Sequence, residues 1–76
     1  MAQQYDSIDK IEEYFMTANK GEIYAEVVGR VEKMLIEKAL ERSSGNQFEA
    51  SRLLGINRNT LHAKMKKLSI DAGRFK

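Results

Sequence analysis

Apolar residues recur along this chain at helical spacing. Ile8, Ile11 and Phe15 fall at i, i+3 and i+7, with Ala18 beyond, and so share one face of a first helix. Asp6 or Ser7 can cap its start, Asp9 and Glu12 sit near its positive end, and Asn19-Lys20-Gly21 stops it. A second, longer helix runs from Glu22 to Arg42, a span of about 30 Å. Ile23, Val27, Val31 and Leu35 make one apolar row on it, and Tyr24, Val28, Leu35 and Ala39 make another. Met34, Ile36 and Leu40 widen the arc further, beyond what one short neighbouring helix can cover.

Ser43-Ser44-Gly45 breaks the long helix, with Gly45 suited to the left-handed position after it. Asn46 then caps a third helix, and Glu49, three residues on, can complete a capping box. Ala50, Leu53 and Leu54 face inward, Gly55 allows a positive φ in the turn, and Ile56 plugs the gap. Asn57 caps a fourth helix whose buried face is Leu61, Met65 and Leu68. Met34 and Met65 read as core fillers. Strand signals are poor, so the fold class expected is all-α: four helices, the last two a helix-turn-helix. One domain covers 1–76: a tail at 1–5, dimerisation helices over 6–43, the helix-turn-helix over 44–71 and a tail at 72–76.

Length changes this picture by adding a second copy. A chain of 76 residues buries a modest core. With no Cys and one His it lacks disulfides, thiolate metal sites and a metal cluster of its own. Oligomerisation remains as support. The helices at 6–43 from two chains would make a dimeric four-helix bundle, with Ile8, Ile11, Phe15, Ile23, Val27, Val31, Met34 and Leu35 at the dimer interface.

Charge is divided unevenly. Met1 to Ser43 holds six Lys/Arg against nine Asp/Glu, a net of −3. Ser44 to Lys76 holds seven against two, a net of +5, which points to a polyanionic partner for the C-terminal part. No signal peptide is expected from the N-terminal residues, and no apolar run is long enough for a membrane span, so a cytoplasmic chain is expected. No nucleophile or oriented carboxylate accompanies His62, so no enzyme and no cofactor are expected.

The stretch GNQxxAxxLLGIxRNTLxxKxKKL, from Gly45 to Leu68, closely resembles the C-terminal DNA-binding domain of the Fis/NtrC group. The resemblance is dense from Ala39 to Ile70 and upstream covers the helix arrangement alone. It implies a homodimer that sets its last helices in the major groove of double-stranded DNA, often bending it. Arg58-Asn59-Thr60-Leu61 looks more like the sigma-54-dependent activators than like Fis, which tends to have Gly at the position of Asn59. With five residues before the first helix, the N-terminal β-hairpin arm of Fis is not expected here. Position 62 is His where Fis has a DNA-contacting Arg, so base preference does not transfer there. In such an activator an AAA+ ATPase domain would accompany this one; no G-x-x-x-x-G-K-[ST] occurs in the chain itself. A free-standing, DNA-bending Fis-like protein of the bacterial nucleoid is the alternative, and a helical interaction module without nucleic acid stands third.

The expected DNA-binding residues follow from side-chain chemistry. Arg58 can pair bidentately with guanine O6 and N7, and Asn59 can bond to adenine or phosphate. A lone Arg at a helix start is most often simply solvated; its place after this turn favours DNA. Asn57 serves first as a cap and Thr60 can bond back to its own helix, yet both suit a phosphate. For His62, base contact and an ordinary surface role stand level. Lys64, Lys66 and Lys67 read as phosphate neutralisers, against a solvated basic face; they lie around the helix, so not all face DNA together. Arg52 and the backbone near Asn46 can touch phosphate from the third helix.

Overall fold

The computed structural model describes residues 11–76. They form helices α1 (Ile11–Thr17), α2 (Ile23–Arg42), α3 (Gln47–Leu54) and α4 (Arg58–Leu68), then a short 3-10 turn over Ala72–Phe75. No strand occurs among the described residues, in line with the all-α expectation. The chain divides into two compact units, Met1–Val31 and Glu32–Lys76, with the boundary inside α2.

In the first unit α1 ends where Ala18 N–H donates to the Tyr14 carbonyl at 2.8 Å, and Gly21 turns the chain at φ 91°. Glu22 caps α2, its carbonyl accepting from Glu26 N–H at 3.0 Å, one residue from the expected start. The Arg30 guanidinium lies 5.9 Å from the centre of the Tyr14 ring. Ile11, Phe15, Tyr24 and Val28 stay exposed in the single chain, while Ile23, Val27 and Val31 are half-buried. Ile8 and the caps expected at Asp6 or Ser7 lie outside the described residues.

The second unit holds the core. Ile36, Ala39 and Leu40 of α2 meet Ala50 of α3, Leu61 and Met65 of α4, and Ile70 and Ala72 beyond it. Leu40 and Leu61 are fully buried, worth roughly 1.5–3 kcal/mol each over exposure. Ala50, also fully buried, belongs to the short helix packed against α4, where a small side chain permits close approach. Ser51 is the buried polar residue among those described, and its hydroxyl donates to the Phe48 carbonyl at 2.7 Å.

Several local expectations need correction. Leu53 does not face inward but is 54% exposed. Ala50, Ser51 and Leu54 set the inward stripe of α3, and Leu53 lies about 100° from its centre. Leu68 is half-buried rather than buried, since it closes the last turn of α4. Met65 is core, but Met34 is 47% exposed in the single chain. The residue after α2 in the left-handed region is Ser44 (φ 54°), with Gly45 next at φ 83°. Gly45 N–H donates back to the Leu40 carbonyl at 2.8 Å, and Ser44 N–H to Glu41 at 3.3 Å, a Schellman closure. The tail expected at 72–76 is ordered structure. Asp71 caps the 3-10 turn, its carboxylate accepting from Gly73 N–H at 2.9 Å; Ala72 is buried and Phe75 packs on the core.

Candidate nucleic-acid interface

The turn between α3 and α4 sets the site. Gly55 adopts φ 75°, and its N–H donates to the Arg52 carbonyl while Ile56 N–H reaches Ser51 at 3.0 Å. This closes α3, and Ile56 packs half-buried against the core as the expected plug. Asn57 then opens α4 by accepting Asn59 N–H on its side-chain oxygen at 2.7 Å. Asn46 opens α3 likewise, accepting Glu49 N–H at 2.9 Å. The second half of the capping box is not made by Glu49: Asn46 N–H donates to the Ser43 carbonyl at 3.1 Å instead.

With Leu61 and Met65 buried, an arc of α4 beside them stays exposed. Arg58, Asn59, His62 and Lys66 line one open groove of about 1060 Å³. Its other walls include Asn46, Gln47 and Phe48 at the start of α3, and Ile70, Asp71, Gly73 and Lys76 of the C-terminal turn. Lys76 was not legible as a groove residue, because the 3-10 turn before it has no periodic signal; Gln47, the first residue of α3, becomes one only through the crossing of α3 and α4. Across the groove His62 Nδ1 stands 3.4 Å from Gln47 Oε1, a long and weak contact. Arg58, Lys66 and Lys76 bring positive charge, and Asp71 is the acidic residue lining it. Lys66 also lies in the last turn of α4, where a cation suits the negative end of the helix.

The remaining expected residues lie elsewhere. Arg52, Asn57, Thr60 and Lys67 are exposed but do not line the groove. The Arg52 guanidinium stacks 5.9 Å from the Phe48 ring centre. Lys64 is half-buried and engaged with Glu32 of α2 at 2.6 Å. Among the described residues no group of His, Asp and Glu could hold a metal ion. No helix among them is long and apolar enough to cross a membrane.

Two short helices joined by a glycine turn, the second presenting a polar basic arc, define a helix-turn-helix protein. The family model described as bacterial regulatory protein, Fis family, matches residues 27–68. The chain belongs to the Fis family of bacterial regulatory proteins. It is 44% identical over 52 residues to the DNA-binding transcriptional regulator NtrC of Azospirillum brasilense, covering 68% of this chain and 11% of that protein. A putative Fis-like DNA-binding protein of Neisseria meningitidis serogroup A is 43% identical over 58 residues, 72% of this chain and 73% of the relative. NtrC of Rhizobium meliloti is 42% identical over 52 residues, again 68% of this chain and 11% of that protein. The chain thus spans 11% of the length of these NtrC regulators. No solved structure matches it.

Proposed function

We propose that this chain binds double-stranded DNA selectively as a homodimer, with α4 of each copy in the major groove. The observation that carries this is the outward arc of Arg58, Asn59, His62 and Lys66 on α4, gathered around one open basic groove. Arg58 and Asn59, at the start of α4, would read base edges, since a recognition helix meets them with its N-terminal residues. Lys66, Lys67, Arg52, Thr60 and Asn57 would hold phosphates. The exposed apolar residues Ile11, Phe15, Met34 and Leu35, with half-buried Ile23, Val27 and Val31, would meet the partner copy.

The likeness to NtrC supports a role as the site-binding domain of a sigma-54-dependent activator, alongside an AAA+ ATPase domain. A second reading, a free-standing DNA-bending protein of the nucleoid, draws on the Fis-like relative, 73% of whose length is matched. Ring closure of short duplexes separates the two: strong acceleration of closure at sites of unrelated sequence would favour the bending protein.

The test of selectivity uses a duplex selected from random sequences. Arg58→Ala should cost roughly 1–3 kcal/mol of discrimination at one base position. Lys66→Gln should weaken all duplexes alike and lower the salt slope by about 1 for each phosphate it no longer neutralises. Equal loss on every sequence with Arg58→Ala would remove its role as a base reader. Sedimentation at several protein concentrations checks the dimer, and a monomer at every one of them would refute it.

A further inference from the structure

Glu32 lies on α2 and Lys64 on α4, and the Lys64 ammonium donates to a Glu32 carboxylate oxygen at 2.6 Å. Their side chains are 26% and 36% exposed. The other ion pair among the described residues, Lys38–Glu41, is 68% and 63% exposed and stays on one helix. The Glu32–Lys64 pair therefore differs in kind: it is shielded, and it joins the outward-facing helix to the helix behind it. Its place on α4 also sets Lys64 apart. At 3.6 residues per turn it points about 160° away from both His62 and Lys66. A side chain so placed, and already bonded to a carboxylate, does not face the groove.

We propose, resting on the DNA-binding reading above, that Lys64 is a positioning residue and not a phosphate ligand. Through Glu32 it clamps α4 to α2, and this fixes the tilt at which Arg58, Asn59 and His62 are offered to the bases. Glu32, an acidic residue on the helix behind, thereby supports selectivity. The two roles for Lys64 make opposite predictions for Glu32. If Lys64 served phosphate, Glu32 would compete with DNA for it, and Glu32→Gln would tighten binding to every duplex. If Lys64 is a clamp, Glu32→Gln loosens α4 and weakens binding to the selected site.

The experiment measures binding of the full chain and its variants to a selected and an unrelated duplex across a salt series. Glu32→Gln and Lys64→Met should each weaken binding to the selected duplex by roughly tenfold, the effect of a coupled pair of ordinary strength. Binding to the unrelated duplex and the salt slope should stay unchanged, because no phosphate ligand is removed. The double variant should be no worse than either single one, and the exchange Glu32→Lys with Lys64→Glu should restore selectivity. A lower salt slope in Lys64→Met, or tighter binding in Glu32→Gln, would overturn the proposal. Should the unaltered chain bind no duplex, the DNA reading itself falls. The clamp is then judged by amide exchange: faster exchange across α4 in both variants supports it, and unchanged exchange overturns it.

Discussion

Ser69 ends α4 at φ 58°, in the left-handed region where an L side chain crowds its own backbone. Its N–H donates to the Lys66 carbonyl at 3.2 Å and Ile70 N–H to Met65 at 2.9 Å, so the conformation is held by two bonds. Ser69→Gly should raise stability by about 0.5–1 kcal/mol, read in a urea melt, because glycine relieves the crowding. Gly45 is the opposite case. A Cβ there would sit 2.7 Å from the Ala72 carbonyl oxygen, on a backbone already at φ 83°. Gly45→Ala should therefore lower stability by roughly 1–3 kcal/mol in the same melt. The Ser43-Ser44-Gly45 break was visible in the sequence as a helix end. That Gly45 is pressed under a later segment was not, because the pressing residue, Ala72, lies far along the chain and follows no repeating pattern.

For the elements, the hydrophobic period located all four helices, and the caps Asn46 and Asn57 fall at the positions expected. The inward stripe of α3 was harder to read, since Leu53 and Leu54 look alike in sequence and only the crossing of α4 decides between them. The 3-10 turn stayed hidden because four residues give no periodicity. Asn57 shows how one side chain can hold two roles. Its oxygen is committed to Asn59 N–H, so Asn57→Ala should cost about 1 kcal/mol of stability. Asn57→Asp keeps a capping oxygen and suits the positive helix end, so folding should persist. If Asn57 also meets phosphate, the added negative charge should weaken binding to all duplexes in a mobility shift; unchanged binding would confine it to capping.

At the scale of the whole molecule, the C-terminal residues are part of the second unit's core and not an appendage. Ile70 and Ala72 are buried, and Phe75 packs against the same cluster. Ending the chain after Ser69 should uncover Leu40, Leu61 and their neighbours, lowering the midpoint of thermal unfolding by several degrees or more. An unchanged midpoint would show that the turn adds nothing to the core. The uneven charge was legible from composition, and it falls where the groove lies. Its formal +5 overstates what is displayed, since Lys64 is matched by Glu32 from the acidic half.

Lys76 stands on the rim of the groove and also reaches over Gly45. Any handle welded to that end, whether a purification peptide or a fluorophore, would hang across the mouth through which a ligand must enter.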